Sequence, residues 1–444
     1  MTADKDKLSL KERQEAFLAR WVSAEGIEFP SEEAKAAYQE RAGLISAAMR
    51  LDSSIKRVPI MPLTTFAPTM MAGIGGHQAM YDPEAAGQAN LDFCNIYQPD
   101  AAGAVPMLMY GPALETLQYN LYKWPGHGVA EHLSYQFNEK EYMKADDYDH
   151  LISDPTDYWL RGWMPKTHGA LAAFASMPPI YGSMELPMFG PWLVSVGTPP
   201  MQEALKALME AGKQCFDWIN ILGGYLGQIV ASGFPFYAGG ATKAPFDVLS
   251  DSFRGTTHLM MDLYRRPAKV VEAVERLVRP MVEAGLAGAR ANNNPLVFIP
   301  LHKGADGFMS DEQFRKFYWP TLKAVMYGLA EAGCVPACFV EGGYNQRLEY
   351  LAETSDIHCL YLFDRTDMAR ARELLGGKVC IGGGFPVSLI LTGTTEQVRE
   401  ETKKLLDTAM GDKGYILSIG CAMDEGKAET MKAFIEAGKE YGRY

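Results

Sequence analysis

From residue 295 to the end, the chain repeats one unit five times: a short apolar run, a loop carrying Gly and an ionisable or reactive residue, then an amphipathic helix. The runs occupy residues 295–301 (PLVFIPL), 335–340, 357–363, 379–382 and 415–419. They are rich in branched residues and bounded by Gly, Asp or Asn, which is how strands read. Strands alternating with helices make βα units and a parallel sheet. No G-x-G-x-x-G follows the first strand, so units of roughly 30–40 residues fit a (βα)8 TIM barrel better than an open nucleotide-binding sheet. The Gly382–Gly384 run is not such a motif.

The helices between these runs carry their own punctuation. Ser310 and Gln313 make a capping box, and Phe314, Phe317, Leu322, Val325, Met326 and Leu329 share a face until Gly333 stops it. Pro320 is expected to kink that helix. Short helices follow over residues 345–353 and 368–375, Thr394 with Gln397 caps the next, and a last one spans 427–441. Upstream, two charged helices around residues 10–22 and 31–49, separated by Pro30, form an amino-terminal extension over residues 1–50, read as a cap or an oligomer arm. Residues 51–444 are then the barrel.

In such a barrel, catalytic side chains sit where strands end. That rule selects His302, Asp306, Glu341, Tyr344, Asp364, Asp367, Cys421 and Asp424. His302 and Glu341 end neighbouring strands.

Composition narrows the partners. Lys and Arg number 42 against 54 Asp and Glu, a net charge of −12, which repels phosphate backbones and anionic lipid. The start, MTADKDKLSLKERQEAFLARW, lacks a secretory apolar core, and runs such as 108–110 or 416–422 fall far short of the ~20 residues a span needs. Seven cysteines without a C-x-x-C suit a reducing compartment, so a cytoplasmic protein with mostly buried core thiols is expected.

The stretch from Lys378 to Gly442 resembles the carboxyl-terminal part of the uroporphyrinogen decarboxylase superfamily, through KVCIGGGFPVSLILTGTTEQVREETKKLL, GYILSIGC and KAETMKAFIEAGKEYG. The likeness extends back through FMSDEQFRKFYWPTL to Ala244-Pro245-Phe246. An insertion near residues 110–190 departs from the short members. The resemblance implies a (βα)8 barrel and one of two chemistries: cofactor-free decarboxylation of a porphyrinogen, or methyl transfer to or from a corrinoid protein, in many members with zinc.

The decarboxylase pattern R-Q-A-G-R after the first strand is absent, since Pro62-Leu-Thr-Thr-Phe-Ala-Pro-Thr-Met-Met71 holds no arginine to clamp carboxylates. The methyltransferase pattern places H-x-C after one strand and Gly-Cys after the last. Gly420-Cys421 matches, whereas the earlier slot reads Phe339-Val340-Glu341-Gly342. Cys421 is the family ligand retained, and His302 with Glu341 are the candidates to complete a zinc set, because zinc accepts imidazole, carboxylate and thiolate together.

The expectation is therefore a methyltransferase working between a small methylated ether, amine or thiol and a separate corrinoid-binding protein, since no D-x-H-x-x-G is present here. His302, Glu341, Tyr344 and Asp364 are the expected catalytic residues, with zinc on His302, Glu341 and Cys421. A decarboxylase or lyase acting on another substrate is the alternative, and a non-catalytic binding member of the fold a third reading. A homo-oligomer is among the expected partners, and nucleic acid and membrane are not. Met61, Phe66, Met70, Met71, Met80, Met107, Met109 and Tyr110 suggest an adaptable apolar wall near the early strand ends, against the plainer reading of a methionine-rich chain. His127 and His132, five apart, do not share a helical face and read as loop residues.

Overall fold

The computed structural model describes residues 8–103 and 110–444; Met107, Met109 and most of the 108–110 run lie outside them. The described strands are β1 (Tyr122–Pro125), β2 (Gly128–Val129), β3 (Gln136–Phe137), β4 (Gly240–Ala241), β5 (Leu296–Leu301), β6 (Val335–Val340), β7 (Leu360–Phe363), β8 (Cys380–Gly383) and β9 (Tyr415–Ile416). The last six form one parallel sheet in sequence order, and every residue of β6, β7 and β8 is buried. Burial on both faces is why these strands read as unbroken apolar runs.

Two extended segments carry the sheet around. Ile60 bridges Leu417 in parallel beyond β9, Ala102 bridges Phe236 ahead of β4, and Asp100 N donates to Ile60 O at 2.8 Å. Arg57 locks this seam by a two-pronged pair with Asp100, at 2.6 and 2.7 Å. This is the barrel arrangement expected from the repeated βα units.

The amino-terminal helices Leu10–Ser23 and Glu32–Met49 close the opposite end. The buried Gln14 amide donates to Cys334 O and His358 O, both at 2.8 Å, just ahead of β6 and β7. A carboxamide has the paired donors to satisfy carbonyls that no strand reaches. Cys94, Cys334, Cys338, Cys359 and Cys380 are buried as expected, Cys421 is half-buried, and Cys215 is exposed.

The helix around Pro320 is not regular: Phe314–Tyr318 is a π-helical turn that runs without a break into Trp319–Glu331, and Pro320 lies in the first turn after it. Past residue 183 the chain continues through the helix Leu186–Gly197 and the 33-residue helix Pro199–Ala231 before it rejoins the sheet. Among the described residues no helix is long and apolar enough to cross a membrane.

Candidate active site at the carboxyl ends of the strands

The loops after β4 to β7 converge on an open cavity of about 430 Å³, within the usual range for small-molecule sites. His302 follows β5, Glu341 follows β6 and Asp364 follows β7, and all three line it. Tyr122 and Phe137, from the small sheet of the insertion, form part of its wall with Phe308.

The centre is a carboxylate absent from the strand-end candidates. Asp251 lies in the π-helical turn Val248–Arg254 behind β4, and its Oδ2 accepts from His302 Nδ1 and from Lys243 Nζ, each at 2.6 Å. Lys303 Nζ stands 3.6 Å from its other oxygen. Burial alone would raise the Asp251 pKa, but the His302 hydrogen bond and the Lys243 charge prevail and hold it well below the usual carboxylate range. His302 shows the converse balance: burial favours the neutral ring, while the Asp251 hydrogen bond and the charges of Asp247 and Asp251 outweigh it and raise its pKa. With Nδ1 committed to Asp251, Nε2 is left for the cavity, and Glu341 Oε2 is 3.6 Å from it.

Asp247 sets the backbone beneath this pair. It is fully buried, accepting from His302 N at 2.9 Å, Lys303 N at 2.9 Å and the Tyr318 hydroxyl at 2.7 Å. Burial pushes its carboxyl up. Asp364 is braced by Gly342 N, which donates to it at 3.0 Å, and has Arg365 Nε at 3.8 Å.

The other strand-end residues have different work. Tyr344 is not at the cavity but fully buried beside Tyr318, under Gly304, where a β-carbon on that glycine would fall 2.6 Å from the Tyr344 hydroxyl. Burial drives its pKa well up, so it is a poor proton donor in that position. Asp306 accepts from Gln346 N at 3.3 Å, and Asp367 caps the helix Met368–Leu375 through Ala369 N at 2.9 Å. Asp424 joins the first strand's loop to the insertion through Thr65 and Ser134. His127 pairs with Glu115 at 2.8 Å and stacks on Trp124, and neither it nor His132 lines the cavity. Among the described residues, none of the expected methionine wall lines that cavity: Phe66 and Met80 pack with Trp124 in a cluster of their own.

Zinc fits this arrangement poorly. Cys421 is half-buried, and burial with the charges of Asp364, Glu341 and Asp424 pushes its thiol up to about 11. Among the described residues no three His, Cys, Asp or Glu converge to hold a metal ion, so His302, Glu341 and Cys421 do not form the expected set.

Sequence reasoning missed Lys243, Asp247, Asp251, Lys303 and Arg365. Their signal was faint because β4 is two residues long and rich in glycine. A β-carbon on Gly240 would sit 2.3 Å from Gly285 O, so the helix Pro267–Ala291 packs against bare backbone where a branched residue would otherwise announce a strand. The Ala244-Pro245-Phe246 landmark lay immediately before the two aspartates.

A barrel with its polar constellation at the carboxyl strand ends defines the class, and comparison refines it. Residues 233–441 match the uroporphyrinogen decarboxylase (URO-D) family. Both branches appear among its relatives. The chain is 26% identical over 161 residues to a uroporphyrinogen decarboxylase of Teredinibacter turnerae, covering 36% of this chain and 44% of that one. It is 24% identical over 131 residues to the methylcobamide:CoM methyltransferase MtbA of Methanosarcina acetivorans, covering 29% and 37%. These matches span less than half the length of either relative. A solved methyltransferase from Methanosarcina mazei superposes with a TM-score of 0.58 at 16% identity, over 91% of this chain and 98% of that one, which supports the fold.

Proposed function

We propose that this protein is a methyltransferase that takes a methyl group from a small ether or amine and passes it to a corrinoid carried by a separate protein. The observation that carries this reading is the Asp251–His302 pair, which engages Nδ1 and leaves Nε2 facing a cavity of small-molecule size. A reduced corrinoid supplies the nucleophile, so the chain must bind and orient the donor and protonate the atom that loses its methyl group. His302 Nε2 gives that proton, Asp251 holds the ring in the right tautomer, and the ring regains a proton from solvent. Glu341 positions the leaving group beside Nε2, and Asp364 keeps the Glu341-Gly342 loop in place. Tyr122, Phe137 and Phe308 give the donor an apolar wall, which favours an aromatic or otherwise apolar body.

The finer expectation of zinc on His302, Glu341 and Cys421 has no support in the geometry, and no step above uses it. The second reading is decarboxylation of a carboxylated substrate, favoured by Lys243, Lys303 and Arg365 around the cavity. Two of these three cations already face Asp251, which leaves Arg365 as the outer anchor.

The test is anaerobic incubation with a reduced corrinoid protein and a panel of small methyl ethers and amines. Methyl transfer appears as a change in the cobalt absorption spectrum, slowed about 100-fold in His302→Ala, the scale of lost acid assistance. A wild type inert toward every donor, but releasing CO2 from a carboxylated substrate, establishes the second reading instead.

A further inference from the structure

The insertion carries an apolar surface that the barrel does not use. In the helix Pro199–Ala231, one stripe, including Ala204, Ala211, Trp218 and Leu222, is buried against the rest of the molecule. A second stripe faces outward through Met209, Gly212, Phe216, Ile219 and Gly223, spaced three, four, three and four residues apart. That alternation is the seam of a helix pair, where each apolar residue enters a hole on a facing helix. Met209 is nevertheless 72% exposed and Phe216 66% exposed, so no helix among the described residues covers them. The preceding helix, Leu186–Gly197, has no buried residue and no charge, with Leu186 at 88% and Val194 at 70% exposure. A helix apolar on all sides is ordinarily covered.

We propose that this helical hairpin is the docking surface for a second copy of the same chain, the two hairpins packing across a two-fold axis into a four-helix bundle. Area argues for a partner of this kind. The exposed apolar side chains of residues 180–221 amount to on the order of 1,000 Å², beyond the ~300–600 Å² of an ordinary monomer's largest patch. They reach the ~800 Å² per partner of a stable interface.

Charge argues against the other occupants. Residues 180–231 carry two lysines and four acidic side chains, where a lipid surface would select an excess of cations. The two lysines are paired within the helix, Lys206 with Glu203 at 2.7 Å and Lys213 with Asp217 at 3.7 Å. With both lysines paired internally, the face presents chiefly shape and apolar area, both of which a two-fold supplies from its own copy. The inference is independent of the chemistry at the barrel mouth.

The test is sedimentation of the full-length protein over a wide dilution series, beside the double variant Met209→Glu, Phe216→Glu. Wild type is expected at twice the chain mass and the variant at the chain mass, with unchanged far-ultraviolet circular dichroism. Leu186→Asp, on the other helix of the hairpin, should shift the equilibrium the same way, so the result does not depend on one variant folding. A monomeric wild type overturns the proposal, including one that co-sediments with phosphatidylcholine vesicles and so reveals a lipid occupant. A dimer that survives both variants also overturns it, by placing the interface elsewhere.

Discussion

Residues 295–385 and residues 180–231 are both rich in large apolar side chains, and the two regions use them in opposite ways. In the first, β5 to β8 and the helix Trp319–Glu331 bury nearly every such residue in two core clusters. In the second, Ile180, Met184, Leu186, Val194, Met209 and Phe216 stay exposed. Apolar content alone thus says that a segment will be covered, not by what. The barrel segments are covered within the chain because each strand lies between two others and under a helix. The hairpin has one neighbour on one side, so its remaining faces await a partner. Substitutions should accordingly have large effects on folding or chemistry in the first region and small ones in the second.

The largest effect on stability is expected at Asp247, the buried carboxylate joining the β4 and β5 ends. Removing it in Asp247→Ala strands two backbone amides and the Tyr318 hydroxyl without an acceptor. A loss of about 3–5 kcal/mol in urea unfolding is expected, as when one member of a buried polar network is deleted. Asp247→Asn keeps one acceptor oxygen and should lose less. An alanine variant as stable as wild type would remove the claimed contrast between the regions.

Next comes His302→Ala, with turnover down about 100-fold and folding intact. The raised pKa of His302 gives this a pH signature. As an acid, His302 works below its folded-state pKa, so the rate should fall as pH rises through that value. Asp251→Asn removes the strongest of the interactions that raise it and should move the fall to lower pH. The stability linkage has the same sign: the His302 contribution is complete below its unfolded pKa of ~6.5 and lost as pH rises through the folded value. Asp251, whose pKa is depressed, contributes above its unfolded value of ~3.9 and loses that contribution as pH falls. The pair is therefore most stabilising between about pH 4 and pH 6.5. A rate profile with its alkaline limb unchanged in Asp251→Asn would separate the two residues.

A smaller loss, about 1–3 kcal/mol, is expected for Gly383→Ala. Gly383 has a φ of +79°, and a β-carbon there would lie 2.4 Å from Phe363 O. The glycine run after β8 is thus a backbone requirement of close strands, in keeping with its failure to match a nucleotide motif. Thermal unfolding indistinguishable from wild type would mean the strand end can relax.

Legibility followed burial and strand length. The strands β5 to β8 were visible because two-sided burial writes itself as continuous branched residues, and the rule that strand ends carry chemistry found His302, Glu341 and Asp364 at one cavity. It failed for Tyr344, because position after a strand does not say whether a side chain turns to the mouth or back into the core. Asp251 escaped for the opposite reason: it lies a π-helical turn beyond a two-residue strand whose glycines are dictated by helix packing.

The smallest effect is expected on the hairpin, where it sharpens the comparison most. Phe216→Ser removes an exposed ring and no described hydrogen bond or ion pair, so the isolated chain should change in stability by no more than about 0.5 kcal/mol. At high protein concentration the same substitution should matter, because a partner that binds only the folded chain raises its melting temperature by mass action. Wild type should therefore melt at temperatures that climb with concentration, while Phe216→Ser melts at a nearly constant one, and the two curves should meet on dilution. Coincidence at every concentration would mean that Phe216 lies outside any interface. A gap that persists at the lowest concentration would mean that the ring is packed within its own chain, making the hairpin a second core and erasing the distinction between the two regions.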